Sequence, residues 1–409
     1  MKCKRPELLL PAGSPETLKA ALNYGADAVY LGGDTFGLRS KAKNFSHDEM
    51  KMAVCLAHEK NVKVYVTANI FAHNRDMEEV RDYFAELKEI RPDALIISDP
   101  GIFLAAKEVC PEIEIHISTQ SNNTNYETCR FWYELGAKRI VSARELSIRE
   151  LKEIREKMPK EMELETFVHG SMCISYSGRC LLSSFFTGRD ANRGECTHPC
   201  RWNYALMEET RPGEYYPVFE NERGTYIFNS KDLCMIGHIP ELVDAGIDSF
   251  KIEGRMKNAL YVATTARTYK KALEDYLKDP KCYEENLQWY RDQISYCTYR
   301  AFTTGFFFGK PSENEQIYGE STYRRDAVYL GIVSRTDETG RAVLEQKNKF
   351  SVGDKIEIMK PSGENIGVRV EGIYDDSGNA QQSAPHAKQI LHVVLSQIPE
   401  PMDILRAIV

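Results

Sequence analysis

Four cysteines near the middle of the chain have the spacing that most clearly indicates chemistry. Cys173, Cys180, Cys196 and Cys200 lie close together, whereas the other seven of the eleven cysteines are scattered. Glycine and polar residues separate the four, so the backbone can bend and bring the thiols together. Thiolates in such a loop bind either zinc or an iron–sulfur cluster. The gaps C-x6-C, C-x15-C and C-x3-C are atypical of a zinc ribbon and favour an iron–sulfur cluster over zinc or no metal, with Cys234 as an alternative ligand.

A second set of polar residues directly follows short apolar runs that we predict to be β-strands. Amide and guanidinium groups at such positions suit a small carboxylate or phosphate ligand. Any one of these residues alone is more readily explained as a loop or capping residue than as a catalytic one, but together they would offer many polar groups to one site. The residues at strand ends are Arg39, Asn69, Gln120, Asn122, Asn123, Arg144, His169, Lys251, Glu253 and Arg255. Near the cysteines, positive charge for an anionic metabolite or a nucleic acid comes from Arg179, Arg189, Arg193 and Arg201.

The elements that must position these residues alternate between strand and helix through the first 280 residues. Near-continuous apolar runs, each followed by an amphipathic stretch, predict a parallel sheet with helices on both faces. Eight such units in this length match a TIM-type (β/α)8 barrel, an α/β fold. The alternative, a doubly wound open sheet, is disfavoured because Pro11-Ala12-Gly13 lacks the G-x-G-x-x-G spacing. The predicted strands are Glu7–Leu10, Ala28–Leu31, Val62–Val66, Ala94–Ile97, Ile113–Ile117, Arg139–Val141, Leu164–Val168 and Ser249–Ile252.

The cysteines belong to a long insertion after the seventh strand, residues 171–232, with an extra strand predicted at Tyr226–Asn229. Loops at the carboxyl ends of barrel strands build the active site, so we expect the thiols at the functional end of the barrel. In residues 326–409, short runs bounded by Gly, Asp, Asn and Pro predict a small antiparallel β-barrel, which either binds RNA or a partner or only completes the fold. The predicted domains are a barrel with its insertion over 1–280, a connecting segment over 281–325 and this small barrel.

Composition and charge exclude several classes of protein. A net charge of −7 argues against a surface coated in basic residues for duplex DNA, although a local basic patch is compatible with it. No apolar run reaches about 18 residues, so we expect no membrane span. The apolar run near the N-terminus is too short for a secretory signal, and an odd number of cysteines fits a reducing cytoplasm. Neither HExxH nor G-x-S-x-G occurs, so protease signals are weak.

Several motifs make the chain resemble the peptidase U32 family. The block ETFVHGSMCISYSGRCLLS, residues 165–183, is similar to that family's signature. Further matches are LLLPAGSPETLKAALNYGADAVYLGG, ISTQSNNTN, NSKDL, KIEGR and RAFTTGFFFG, so the likeness covers essentially the whole chain. The family name implies a collagenase-like peptidase, which nothing in these residues supports. The resemblance otherwise implies hydroxylation of RNA or quinones by proteins that carry a [4Fe–4S] cluster.

Within this family the chain most resembles a branch whose members hydroxylate tRNA. That resemblance implies oxygen-independent formation of 5-hydroxyuridine at the wobble position, with tRNA as partner and prephenate as the source of the hydroxyl group. The quinone branch differs, because its third and fourth cluster ligands lie far apart, whereas GECTHPCRW keeps two cysteines close. The alternatives are hydroxylation of a 23S ribosomal RNA cytidine, by a similar but usually longer branch, and a U32-type collagenase-like peptidase.

The resemblance also implies that the polar residues at the strand ends form a pocket for a small dicarboxylate such as prephenate. Guanidinium groups would hold that ligand. The candidate catalytic residues are His169, Gln120 and Glu253, with proton transfer as the hypothesis for His169 because histidine titrates near neutral pH. The predicted substrate-binding residues are Arg39, Asn69, Asn122, Arg179, Lys251 and Arg255. The predicted cluster ligands are Cys173, Cys180, Cys196 and Cys200, with zinc as the alternative metal. A second member of the same family is a candidate partner.

Overall fold

Strands and helices alternate along the part of the chain that the computed structural model describes, which is residues 4–37, 44–173, 175–202, 205–207, 215–217, 229–310, 316–317, 326–361 and 365–409. The helices are α1 (Pro15–Tyr24), α2 (His47–Glu59), α3 (Asp76–Ile90), α4 (Pro100–Val109), α5 (Tyr126–Glu134), α6 (Ile148–Lys157), α7 (Leu182–Thr187), α8 (Ile239–Asp244), α9 (Ala259–Lys278), α10 (Pro280–Glu285) and α11 (Leu287–Ser295). None of these helices is long and apolar enough to cross a membrane.

The strands divide between two units of the chain. The first unit comprises Met1–Pro15, Asp27–Met256 and Arg300–Tyr323, and the second Glu16–Ala26, Lys257–Tyr299 and Arg324–Val409. The strands of the first unit are β1 (Glu7–Pro11), β2 (Ala28–Leu31), β3 (Lys63–Ala68), β4 (Ala94–Ile97), β5 (Glu114–Ile117), β6 (Arg139–Val141), β7 (Glu163–Ser171), β8 (Ala205–Met207), β9 (Tyr215–Pro217), β10 (Asn229–Ser230), β11 (Asp232–Cys234), β12 (Ser249–Ile252), β13 (Phe302–Thr303) and β14 (Gln316–Ile317). The strands of the second unit are β15 (Ala327–Thr336), β16 (Ala342–Glu345), β17 (Lys355–Met359), β18 (Asn365–Asp375), β19 (Ala380–Gln381), β20 (Ile390–Leu395) and β21 (Ile404–Ile408).

Eight parallel strands of the first unit close into a barrel. β1 to β7 pair in chain order, and β12 pairs with both β7 and β1. Ser249 is the residue at which the ring closes, opposite Glu165 on one side and Glu7 on the other. The predicted TIM-type barrel is therefore confirmed, and the open doubly wound alternative is wrong. The largest difference in a strand bound is in β7, which extends to Ser171, so His169 lies within the strand rather than after it.

The helices around the barrel begin where local chemistry satisfies their free N–H groups. Ser46 and Glu49 form a capping box at the start of α2, in which the Ser46 N–H donates to Glu49 Oε2 at 3.0 Å. Ser147 and Glu150 repeat the motif at α6. Asp99 caps α4, where Pro100 occupies the first helical position. These residues fix where each helix starts, and so fix the length of the loop that leads from each strand.

The barrel interior holds a network of buried charges on the side of the N-terminal strand ends. The Arg139 guanidinium donates to Glu7 Oε1 at 2.6 Å, to Glu163 Oε2 at 2.6 Å and to Glu165 Oε2 at 2.9 Å. Burial raises the pKa of Glu165, but the charges of Lys251 and Arg139 outweigh it and leave that pKa below its usual value. Glu165 is therefore a buried carboxylate that stays ionised because two cations face it.

The insertion after β7 returns to the barrel through β11, which pairs antiparallel with β7 and parallel with β13. Asp232 on β11 accepts from the fully buried Arg300, with an Nη2–Oδ1 distance of 2.7 Å. This ion pair connects the NSKDL and RAFTTGFFFG motifs. Of the predicted strand Tyr226–Asn229, residues 226–228 lie outside the described residues, and Asn229 belongs to β10, which pairs with β14.

The second unit combines α1, α9, α10 and α11 with a small β-barrel. β17, β21, β15, β16, β20 and β18 pair in that order, and β17 also pairs with β18, so six antiparallel strands form a closed ring. The predicted small antiparallel barrel is confirmed. Tyr24 on α1 donates from Oη to the carbonyl of Met359 at 2.7 Å, and Arg267 on α9 donates to Asn365 Oδ1 at 2.8 Å. These bonds explain why helices that belong to the strand–helix series in sequence group with the β-barrel instead.

Candidate active site at the mouth of the barrel

A cavity of about 1210 Å³, including its opening to solvent, lies at the carboxyl ends of the barrel strands. Its walls come from β2, β3, β4, β6, β7 and β12, from residues just beyond β3, β5, β6 and β12, and from the cysteine-rich insertion. This is the end at which TIM barrels place their active sites.

All four cysteines of the predicted cluster set line this cavity, and none forms a disulfide. Cys173 is exposed, and Cys180, Cys196 and Cys200 are half-buried. His198 has a left-handed backbone conformation, with φ of 56°, and its N–H donates to Cys196 Sγ at 3.4 Å. Hydrogen bonds to cysteine sulfur are one means by which proteins tune a thiolate-bound metal centre.

The geometry of the four thiols bears on which metal group they suit. In the described part of the chain, no three Cys, His, Asp or Glu side chains form a group that could hold a single metal ion. The four cysteines nevertheless face one cavity. A single tetrahedral zinc draws all its ligands onto one ion, whereas the four thiolates of a [4Fe–4S] cluster bind four separate irons. Which metal group these thiols hold stays a prediction.

An ion pair fastens the insertion to the barrel. Arg193 donates to Asp76 at the start of α3 through two bonds, Nη1–Oδ2 at 2.7 Å and Nη2–Oδ1 at 2.8 Å. The hydrogen bonds from Arg193 lower the pKa of Asp76 to about 2, which keeps the carboxylate ionised. The Phe71 N–H donates to the Asn192 carbonyl at 3.2 Å beside this pair. Arg193 is one of the arginines near the cysteines, and the structure gives it an anchoring contact with Asp76.

The side chain of Gln120 contacts the loop that carries Cys180. Gln120 lines the cavity just after β5, and its N–H donates to Ser118 Oγ at 3.3 Å. Gly178 has φ of 75°, and a Cβ at this position would lie 2.2 Å from Gln120 Oε1. Gln120 Oε1 is buried and has no hydrogen-bond partner in the described part of the chain. Gly178 is therefore required both by its backbone conformation and by its close approach to Gln120.

Lys251 lines the cavity, and a buried carboxylate balances its charge. Its Nζ donates to Glu165 Oε1 at 2.7 Å and lies 4.8 Å from the centre of the Tyr30 ring. Glu165 is the same carboxylate that accepts from Arg139. Lys251 thus joins the buried charge network to the cavity, and its predicted role in substrate binding stays a prediction.

Arg255, buried just beyond β12, lines the cavity. Its guanidinium donates to Asn44 Oδ1 at 2.7 Å and to Thr67 Oγ1 at 3.3 Å. A Cβ on Gly32 would lie 2.6 Å from Arg255 Nη2, and one on Gly13 would lie 1.9 Å from the Arg255 carbonyl oxygen. The two glycines of the PAG and LGG motifs therefore leave the space that Arg255 fills.

Glu253 and Asn69 also reach the cavity, each with a neighbouring hydroxyl. Tyr30 Oη donates to Glu253 Oε2 at 3.4 Å and to the Ile252 carbonyl at 3.0 Å. Asn69 Nδ2 donates to Ser118 Oγ at 3.2 Å. The only carboxylate among the described residues that line the cavity is that of Glu253.

Three predicted site residues do not line the cavity, and a fourth lies outside the described residues. His169 is buried and packs on Phe302, with ring centres 5.8 Å apart, and it is not among the described residues that line the cavity. The Asn122 side chain binds its own loop, because its Nδ2 donates to the Gln120 carbonyl at 2.9 Å. Arg179 is exposed and lies 6.0 Å from the centre of the Phe71 ring. Arg39 lies outside the described residues.

Arg144 lines the cavity but was left out of the predicted binding set. Its Nη1 donates to the Ser171 carbonyl at 2.9 Å, and its guanidinium carbon lies 4.1 Å from the centre of the Phe167 ring. Its Nε is buried and has no hydrogen-bond partner in the described part of the chain. Its position just after β6 is the signal in the sequence that identifies it, because the predicted binding residues also follow strands. His198, between two of the cysteines, is a second lining residue that sequence reasoning missed.

Comparisons with known proteins show which family this chain is similar to. The profile of peptidase family U32 matches residues 13–317, and that of the family's C-terminal domain matches residues 325–406. The chain is 41% identical over 404 residues to tRNA hydroxylation protein P1 of Bacillus subtilis (strain 168), covering 98% of this chain and 95% of that protein. It is 37% identical over 422 residues to tRNA hydroxylation protein P of Escherichia coli (strain K12), covering 93% and 92%. It is also 32% identical over 385 residues to a collagenase of Porphyromonas gingivalis (strain ATCC BAA-308 / W83), covering 90% and 89%. The chain belongs to peptidase family U32.

Proposed function

We propose that this protein is a tRNA-modifying hydroxylase that forms 5-hydroxyuridine at the wobble position without dioxygen. The observation that carries the proposal is the convergence of four cysteines on a cation-lined cavity at the barrel mouth. It is supported by several relatives of 35–42% identity, from four bacterial species, that are named for tRNA hydroxylation. A tRNA substrate would place this activity in the cytoplasm.

A [4Fe–4S] cluster is the group that we assign to the four cysteines. Cys173, Cys180, Cys196 and Cys200 would hold it, one thiolate to each iron. The donor set fits, because all four cysteines line one cavity, none forms a disulfide, and a backbone N–H already donates to Cys196 Sγ. When bound, such a cluster supplies electron transfer or Lewis-acid chemistry. The chain's own contribution is to fix the loop through Arg193 and Gln120.

A small dicarboxylate, prephenate, is the co-substrate that we assign to the rest of the cavity. Arg144, Lys251 and Arg255 line it with one opposing carboxylate, Glu253, among the described residues. Guanidinium groups bind carboxylates through paired N–H donors, and Gln120 adds an amide at the same mouth. These residues would bind and orient the anion, while Phe167 and Tyr30 supply apolar walls that exclude water.

Metal analysis tests the cluster. Protein purified without oxygen is expected to be brown and to contain about four iron and four sulfide per chain. A colourless protein with one zinc per chain would instead support the zinc alternative and would refute the assignment of a cluster.

Analysis of tRNA nucleosides tests the reaction. Deletion of the gene is expected to remove 5-hydroxyuridine and its derivatives from tRNA, as measured by mass spectrometry of digested nucleosides in a strain without a second U32 member. Depletion of prephenate should give the same loss, and growth without oxygen should not. Unchanged tRNA combined with loss of a hydroxylated cytidine in 23S ribosomal RNA would move the assignment to ribosomal RNA.

A peptidase is the second candidate, and the observation that favours it is the 32% identity to a collagenase over 90% of this chain. Its test is direct: the purified protein is incubated with gelatin and type I collagen, and products are separated on a gel. Cleavage that is lost in a cavity variant such as Arg144→Gln would establish a peptidase. We expect no cleavage, because neither HExxH nor G-x-S-x-G occurs in the sequence.

A further inference from the structure

The cysteine-rich insertion carries a cluster of exposed aromatic side chains beside the cavity. Phe185 is 82% exposed, Trp202 46% and Phe186 43%. The ring centres of Phe185 and Phe186 lie 5.2 Å apart, nearly perpendicular, and those of Phe186 and Trp202 lie 6.2 Å apart. Large aromatic residues at this exposure are rare on a protein surface unless a partner covers them. These three residues, with the exposed Leu181, are called here the aromatic patch.

The backbone ties the aromatic patch to the predicted cluster. Cys180 stands two residues before α7, which carries Phe185 and Phe186, and Cys200 stands two residues before Trp202. The Trp202 N–H donates to the Pro199 carbonyl at 2.9 Å, which fixes the turn between Cys200 and the indole. A molecule that rests on the patch therefore lies next to the cavity mouth.

A hydrogen-bond network supports the helix that carries the patch. Ser183, fully buried on α7, accepts from the Thr197 N–H at 3.1 Å, and Thr187 Oγ1 donates to the Ser183 carbonyl at 2.7 Å. The polar face of α7 thus binds the loop that carries Cys196, and this leaves its two phenylalanines towards solvent. The exposure of the aromatic patch is a consequence of how α7 is held.

Cations that could meet a polyanion lie close in sequence to the patch, beside the half-buried Asp190 and Glu195. Arg179 is exposed and Arg189 is half-buried, and both lie on the insertion near α7. Aromatic faces interleaved with arginines are the combination by which proteins bind unpaired nucleotides, since bases stack on the rings and phosphates meet the cations. A protein partner or a lipid surface would use the apolar area but would not need planar rings.

We infer that the aromatic patch is the surface on which unstacked bases of a tRNA loop rest, so that one neighbouring base can enter the cavity. This inference rests on the proposed function and specifies where that function meets its RNA. Enzymes that modify a base take it out of the stack, and the neighbours that lose their stacking need replacement partners. Phe185, Phe186 and Trp202 would supply them.

Binding of a tRNA transcript with an unmodified wobble uridine tests the inference, measured by fluorescence anisotropy with protein purified without oxygen. Phe185→Ala and Phe185→Leu are each expected to raise Kd roughly tenfold, which is about 1.4 kcal/mol, because each loses the ring on which a base stacks. Phe185→Trp should bind like the parent, since it keeps the ring. Phe131→Ala is the matched control, because Phe131 on α5 is 54% exposed and lies outside the cavity lining. Equal iron content in all four variants excludes an effect through the cysteines.

The outcomes separate the inference from the proposed function. If the parent protein does not bind the transcript, the proposed function fails before any variant is compared. If the parent binds but Phe185→Ala binds equally well, the inference is wrong and the proposed function stands. If Phe185→Leu binds like the parent, or if Phe185→Ala converts a dimer to a monomer with RNA affinity intact, the patch is a protein interface and the inference is likewise wrong.

Discussion

The two ends of the barrel interior differ in their balance of carboxylates and cations. At the N-terminal strand ends, Arg139 is surrounded by Glu7, Glu163 and Glu165, each within 3 Å of its guanidinium. At the mouth, Arg144 donates to a neutral partner, the Ser171 carbonyl. Among the described residues that line the cavity there are three cations, Arg144, Lys251 and Arg255, and one carboxylate, Glu253.

This difference indicates which charges belong to the fold and which are available to a ligand. A buried cation whose donors already meet carboxylates has nothing left for a substrate, and removing its partners destabilises the protein. A cation held by neutral groups is oriented but keeps its charge for an incoming anion. Lys251 belongs to both groups of charges, because it lines the cavity and also donates to Glu165.

The largest effect is expected from Glu165, which balances two buried cations. Glu165→Gln should lower the free energy of unfolding by about 3–5 kcal/mol, because Arg139 and Lys251 would lose the carboxylate between them. Urea unfolding followed by circular dichroism measures this. Glu134→Gln, in the exposed Arg130–Glu134 pair, should change stability by less than about 0.5 kcal/mol. If the two variants unfold alike, the inner network contributes no stability.

The next effect concerns the thiols at the mouth. Cys196→Ala should reduce bound iron and lower tRNA hydroxylation by at least roughly 100-fold, since loss of a ligand costs more than loss of an outer partner. The stability of the barrel itself should change little. Cys55→Ala, an exposed cysteine on α2, is the matched control and should keep both iron and activity. Full activity in Cys196→Ala would remove this cysteine from the site.

Arg144 should act on ligand binding rather than on folding. Arg144→Gln is expected to raise the KM for prephenate roughly tenfold with little change in unfolding, because its guanidinium contacts only neutral groups and a ring in the described part of the chain. Steady-state kinetics at saturating tRNA measures it, with the exposed Arg149→Gln on α6 as control. An unchanged KM beside a lower unfolding free energy would assign Arg144 to the fold.

The smallest effect is a dependence of stability on pH at the anchor of the insertion. The pKa of Asp76 falls from about 3.9 in an unfolded chain to about 2 in the folded protein. A lowered carboxyl pKa stabilises the folded state above about pH 4, and this contribution is lost as the pH falls towards 2. The difference in unfolding free energy between the parent and Asp76→Asn should therefore shrink over that interval, by at most about 2 kcal/mol. A constant difference across the interval would contradict the ion pair.

Local patterns were enough to predict the barrel, whereas the metal group of the four cysteines stays a prediction. The bounds of β2, β4, β6 and β12 agree with the predicted strands. β2 and β4 are continuously apolar, as expected of strands buried on both faces, whereas Arg139 in β6 and Lys251 in β12 belong to the buried charge network. The four cysteines could be singled out from residue type and spacing, because they lie close together while the other seven are scattered. Their place at the mouth followed from their position after the seventh strand.

Which polar residues reach the cavity was decided only by the tertiary structure. The pairing of β7 with β12 shifts register between Lys251 and Ile252, and Gly170 has φ of 108°, so His169 packs on Phe302 while Phe167 faces the cavity. Side-chain direction beyond a register shift depends on the partner strand, which no local pattern contains. The same holds for α1 and α9, whose amphipathic sequences predict helices but do not specify the surface that each helix packs against.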